Sequence, residues 1–252
     1  PNQNVTILGF NRPEWVIFDL ASMMIGGAPA GIYTTNSPHE CKYIVENAEA
    51  PVILVENQSQ WKKIREVRDD IACLKHIVLM KGTQIDDEMT LSWEAFLAKG
   101  DEVDESVVDA RMNALQDDQL ATLIYTSGTT GPPKGVMLSH KNLASTARNA
   151  QNLIELVPSD RTISYLPLSH IAEQMFTIHA AITAAYQVYY AEFSPQDHLN
   201  RNMKEMKPTV FFGVPRIFER FQAGVSAQLG HATGAKAKIA EWARGVGTKV
   251  NA

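Results

Sequence analysis

The chain has 252 residues, 45% hydrophobic and 20% charged, with a net charge of −5, which describes a globular, core-forming chain of one large or two small domains. No basic block exceeds two residues, so nothing points to nucleic-acid binding. Two cysteines, Cys41 and Cys73, give neither a disulfide framework nor zinc spacing and suit a reducing compartment, and no apolar run approaches the ~18–20 residues that span a bilayer.

Val5 to Phe10 reads as a short strand. Asn11-Arg12-Pro13-Glu14 starts a helix, with proline in the first turn and an acid at the positive end of the dipole. Trp15, Phe18, Ala21 and Ile25 recur along it at helical spacing, and Gly26-Gly27 ends it. Ala30 to Thr35 is a second strand. Ser37-Pro38-His39-Glu40 is a capping box opening a helix to about Ala48, with His39 a polar helix-start residue. Pro51 to Val55 is a third strand, Gln58 to Asp70 an amphipathic helix with Trp61, Ile64 and Val67 on one face, and His76 to Met80 a fourth strand. Strands alternating with helices at this spacing predict a mainly parallel sheet flanked by helices. Residues 81 to 119 are looser, with short helices at Ser92 to Leu97 and Ser106 to Leu115.

An apolar run, Leu120 to Tyr125, then leads into Thr126-Ser127-Gly128-Thr129-Thr130-Gly131-Pro132-Pro133-Lys134-Gly135. Four hydroxyl residues and two glycines fall in the first six positions of that loop. Glycines let backbone N–H groups turn inward as an anion-binding nest, hydroxyls add donors or ligands for a phosphate-bound Mg²⁺, and Lys134 adds a point charge. Pro132 and Pro133 stiffen the exit. The bland alternative is a polar turn between strands. It is not the common P-loop, because Gly135 follows Lys134 where that motif needs Ser or Thr.

Val136 to Leu138 is a strand, and Ser139 caps a helix running to about Leu156, with His140 read as orienting the loop. Thr162 to Leu166 is a strand that delivers Pro167-Leu168-Ser169-His170-Ile171-Ala172-Glu173-Gln174. Strand ends of open α/β sheets bind ligands, which makes His170 a site candidate beside its ordinary reading as a core histidine. Met175 to Ala185 is an apolar helix, Gln187 to Ala191 a strand and Pro195 to Met206 a helix. Lys207 to Phe212 reads as a strand, followed by Val214-Pro215-Arg216 and a further helix.

Tyr125 to Val136 resembles the phosphate loop of the adenylate-forming superfamily of acyl-CoA synthetases, luciferases and peptide-synthetase adenylation domains. Pro167 to Glu173, Val214 to Glu219 and Ile32 to Pro38 resemble long-chain acyl-CoA synthetases, the last most of all the bubblegum type. The resemblance implies stacked, mainly parallel sheets: residues 1–252 as a partial AMP-binding N-terminal domain, in sub-blocks of about 1–116 and 117–252, without the C-terminal cap domain. It implies that a fatty carboxylate attacks the α-phosphorus of ATP and that coenzyme A then displaces AMP. Thr126, Ser127, Gly128, Thr129, Thr130, Gly131, Pro132, Pro133 and Lys134 would hold the triphosphate, with Thr126 also a Mg²⁺ ligand. His170 would line the acyl channel, and Arg216 is read either as a surface residue or as positioning a fatty-acid gate.

The family's Tyr-Gly-x-Thr/Ser-Glu motif, ribose-binding aspartate and C-terminal lysine do not occur before Ala252, so the chain is expected to be the first part of a longer ligase, inactive alone and leaving an apolar face uncovered. The rival readings are another adenylating ligase and a truncated, non-catalytic nucleotide- or lipid-binding chain. A cytoplasmic location is expected, with peripheral association with the endoplasmic reticulum membrane left open.

Overall fold

The computed structural model describes residues 3–126, 131–191, 198–230 and 233–250. Two compact units divide the chain at Val210/Phe211. In the first, β1 (Asn4–Leu8), α1 (Pro13–Met24), β2 (Ala28–Ile32), α2 (Pro38–Asn47), β3 (Val52–Val55), α3 (Gln58–Val67) and β4 (His76–Leu79) form alternating strand–helix units. A short β5 (Thr90–Leu91), α4 (Trp93–Ala98) and α5 (Glu105–Asn113) follow, and then β6 (Leu120–Thr126) and β7 (Lys134–Ser139).

These strands make one seven-stranded sheet in the order β5-β4-β3-β1-β2-β6-β7. Every pairing is parallel except β6 with β7, which is an antiparallel hairpin. The expected mainly parallel sheet is therefore present. Its strands are apolar at consecutive positions because both faces are buried. Leu8, Ile53 and Ile77 enter a core under α2 and α3 with Ile44, Trp61 and Ile64. Their neighbours Ile7, Leu54 and Val78 enter the opposite core with Trp15, Phe18 and Trp93.

Helix α1 differs from its expected face. Trp15 and Phe18 are buried, but Ala21 is exposed, and Asp19, Ser22 and Met23 are buried instead. Asp19 lies one turn after Trp15, so the same 3.6-residue period that buries the tryptophan buries the acid. The capping box is formed as read: Ser37 Oγ accepts from Glu40 N, and Glu40 Oε2 accepts from Ser37 N.

After the hairpin come α6 (His140–Leu153), β8 (Arg161–Ser164), α7 (Ile171–Gln174), a π-helical turn (Met175–His179), α8 (Ala180–Ala184), β9 (Gln187–Tyr190) and α9 (His198–Met206). Strands β8 and β9 pair in parallel as a separate two-stranded sheet. No strand forms at 207–212. Lys207 has φ +49°, Pro208 has no N–H to donate, and Thr209 and Val210 both bond the single carbonyl of Arg161. The second unit holds α10 (Pro215–Gly230) and α11 (Ala235–Val250). Among the described residues no helix is long and apolar enough to cross a membrane.

The sheet's direction of growth reverses after β2, since β3 returns to the far side of β1. Such a reversal opens a crevice at the carboxyl ends of β1 and β3. Here that crevice is filled. A Cβ on Gly9 would lie 2.8 Å from Met80 Cε and 2.9 Å from Glu56 Cβ, and Glu56 Oε2 accepts from Phe10 N at 2.9 Å. On the other side of β1, the carboxyl edge of the sheet continues through β2 and β6.

Candidate active site

Strand β6 carries its hairpin to that edge. Tyr125 is buried, and its hydroxyl donates to Asn47 Oδ1 at 2.7 Å. Burial pushes the phenol's pKa up to about 12, so it stays a neutral donor. Across the ladder, Gly135 leaves room for the ring: a Cβ there would be 3.2 Å from Tyr125 Cζ. The last pair before the loop is Thr126 with Lys134, both exposed. Gly131 has φ +94°, a left-handed conformation that glycine adopts without strain, and Pro132 and Pro133 follow it into β7. Ser127, Gly128, Thr129 and Thr130 lie outside the described residues. Thr126 and Lys134 thus stand side by side where the hairpin closes.

Ser139 ends β7 and caps α6 through a reciprocal box with Asn142, bonds of 3.2 and 3.0 Å. His140 Nε2 is buried without a hydrogen-bond partner, and burial lowers the ring's pKa against the opposing pull of Asp117. His179, in the π-helical turn, has the same buried, unpartnered Nε2; burial and the charge of His140 bring it to about 4.

The turn between β8 and α7 is fastened from within. Asn11, just past β1, donates to Ser164 Oγ (2.8 Å), Leu166 O (2.6 Å) and Glu173 Oε1 (3.4 Å), and its Oδ1 accepts from Leu168 N (3.1 Å). Buried Glu173 also accepts from Tyr165 N and Thr177 Oγ1, and bonds with Ser164 and Leu166 N. Burial raises its pKa and these bonds pull it back. Gln174 Nε2 donates to Leu168 O at 2.8 Å. His170 stands six residues past the end of β8 rather than at a strand end; it is exposed, and its Nδ1 accepts from Ala172 N at 3.1 Å. That bond keeps the proton on Nε2 in the neutral ring.

The turn sits on β2 at Gly31, where an added Cβ would lie 2.7 Å from Ser169 Cα. Gly31 is in register with Ile124, two residues before Thr126. At ~3.3 Å per residue the Ser169–His170 turn and the Thr126/Lys134 pair are separated by about 7 Å along the strand direction. Asn11 and Gly31 were missed in the sequence. Asn11 gives no local signal, because its partners are 153 or more positions away. Arg216 is exposed in the first turn of α10, in the other unit.

The AMP-binding enzyme family model matches residues 1–245. The chain belongs to that family. It is 41% identical over 253 residues to the long-chain-fatty-acid–CoA ligase ACSBG2 of Xenopus laevis, an alignment covering 98% of this chain and 34% of that protein. It is 36% identical to human ACSBG1, over 98% of this chain and 35% of that protein. The chain thus spans about a third of these relatives, and the resemblance to the bubblegum type holds along nearly all of it. Among solved structures, the anthranilate CoA ligase AuaEII in complex with anthranoyl-AMP superposes with a TM-score of 0.69 at 24% identity, covering 84% of this chain and 40% of that one. That likeness is one of fold.

Proposed function

We propose that this chain supplies the phosphate-holding part of a long-chain fatty-acid–CoA ligase, which activates its acid through an acyl-adenylate before transfer to coenzyme A. The observation that supports the reading is that β6, whose hairpin closes at Thr126 and Lys134, pairs with β2, on which the turn preceding His170 is seated at Gly31. Attack of a carboxylate on a triphosphate brings two anions together, so the site must screen charge and fix position. Lys134 contributes a cation beside the loop, and Ser127, Gly128, Thr129, Thr130 and Gly131 contribute backbone and hydroxyl donors. The Thr126 hydroxyl would be a protein ligand for Mg²⁺, which would screen the charge of the triphosphate. His170 lines the acyl path, its ring oriented by the cap to Ala172.

The chain spans about a third of the length of these relatives, and we infer that it does not carry out adenylation by itself. We infer a cytoplasmic site of action, which the free thiols of Cys41 and Cys73 suit, peripheral to the endoplasmic reticulum membrane because the acyl substrate is amphiphilic. The test has two arms. Mg·ATP should bind the 252-residue chain, and Lys134→Ala should weaken that binding about tenfold; unaltered affinity removes Lys134 from the site. ATP–pyrophosphate exchange with long-chain acids should be absent in this chain and present in a protein extended to relatives' length; vigorous exchange by the chain alone contradicts the division of labour.

A further inference from the structure

The connection between β2 and α2 is fastened at almost every residue. Asn36 N–H donates to Tyr33 O at 2.9 Å, closing a β-turn with Thr34 and Thr35 at its centre. Ser37 then caps α2. From α3, Lys63 Nζ donates to Thr34 O at 2.6 Å and to Asn36 O at 2.9 Å. A half-buried ammonium thus commits two of its three donors to the backbone of one short turn.

The turn lies beside the hairpin loop. Gly31 pairs with Ile124, and the same register brings Tyr33 level with Thr126 at the hairpin base. Adjacent strands run about 5 Å apart, so the turn and the loop share one sheet edge. The ammonium decides which groups of the turn remain for a ligand. Thr34 C=O and Thr35 N–H belong to one trans peptide and point in opposite directions. Lys63 draws the Thr34 and Asn36 carbonyls to itself, which withdraws two acceptors that would repel an anion. The Thr35 N–H is turned away from Lys63 and has no hydrogen-bond partner among the described residues. Rotating that peptide the other way would make a type II turn, with φ near about +80° at its third residue. Thr35 is not among the residues of positive φ, and a β-branched side chain is strained there. Side chain and ammonium therefore select the same orientation.

We infer that Lys63 is a positioning residue for the triphosphate: it holds the Tyr33–Asn36 turn so that the Thr35 N–H and hydroxyl supplement the donors of the hairpin loop. The inference rests on the reading of that loop as the phosphate holder. Lys63 acts through the backbone it holds, whereas Lys134 acts by its own charge. The turn thereby adds a second strand end, that of β2, to a phosphate site otherwise built on β6 and β7.

The test is Mg·ATP binding by the 252-residue chain, measured by calorimetry, together with exchange of the Thr35 amide followed by NMR. Mg·ATP should slow exchange at Thr35 in the unsubstituted chain. Lys63→Met should weaken binding about tenfold, as expected for about one charge-assisted hydrogen bond, and abolish that protection. Lys63→Arg, whose guanidinium can span two carbonyls, should restore both. A lysine that only staples the fold would lower the urea midpoint of Lys63→Met and leave its Mg·ATP affinity unchanged, and that result overturns the inference. So does a Thr35 amide that Mg·ATP fails to protect in the unsubstituted chain, a result that stands even where Lys63→Met does not fold. If Lys134→Ala weakens binding and Lys63→Met does not, the loop keeps its role and Lys63 loses its own. If the unsubstituted chain binds no Mg·ATP, the reading of the loop falls and this inference with it.

Discussion

Gly31 and Ser169 touch backbone to backbone: a Cβ at Gly31 would come within 2.7 Å of the Ser169 Cα. The contact seats the β8–α7 turn on the central sheet, and backbone has no rotamer with which to yield. Gly31→Ala should therefore lift the turn and cost about 1–3 kcal/mol, the range for overpacking. Its signature is a lower urea midpoint together with faster hydrogen exchange at the Leu168 and Ala172 amides. An unchanged midpoint would mean the turn can move away freely.

Asn11 fastens the same turn from below. Asn11→Ala removes donors from Ser164, Leu166 and Glu173 and the acceptor for Leu168 N–H at once. Partly buried partners left unsatisfied should cost about 2–3 kcal/mol. Glu173→Ala should couple to it by at least about 0.5 kcal/mol in a double-mutant cycle, since both groups share Ser164 and Leu166. Strict additivity would show that the two act separately.

How far the sequence reveals this arrangement depends on the range of the interactions involved. The Ser37–Glu40 box, the Ser139 cap and the Trp61–Ile64–Val67 face are all set within four residues or one helical period, and they form as read. The loop composition at 126–135 was likewise visible, and so was the family. The seat at Gly31 and the four bonds of Asn11 depend on which distant segments meet, which periodicity does not encode. The run at 207–212 shows the reverse failure: residues of strand type lie beside the start of β8, but a left-handed Lys207 turns the chain and the Thr209 and Val210 amides share the one carbonyl of Arg161, so no ladder continues.

Asp19 is the buried acid that the α1 pattern concealed. Neither carboxylate oxygen has a hydrogen-bond partner, and burial pushes its pKa from 3.8 to about 8. The folded state therefore holds a proton that the unfolded chain releases. Its contribution is complete below about pH 3.8 and is lost as pH rises towards about 8, with a slope of up to about 1.4 kcal/mol per pH unit. Asp19→Asn should remove that decline and stabilise the protein at neutral pH. Urea unfolding across this window checks it; an identical pH profile in the variant would place the titration elsewhere.

His179 should work in the opposite direction within the same window. Its folded pKa lies near 4, below the ordinary 6.5, so the unfolded state takes up the proton first. Stability from His179 is complete above about pH 6.5 and is lost as pH falls towards 4. From about pH 4 to 6.5 it offsets the slope due to Asp19, and the wild-type profile should be comparatively flat there. His179→Gln removes one side of this balance. The variant should gain stability as pH falls from 6.5 to 4, as Asp19 alone dictates, and the double substitution with Asp19→Asn should level the profile again. His140 contributes in the same sense as His179, since burial also lowers its pKa, and Asp117 moderates it. If His179→Gln leaves the slope between pH 4 and 6.5 unchanged, the buried imidazole does not titrate with folding and the opposition between the two groups is refuted.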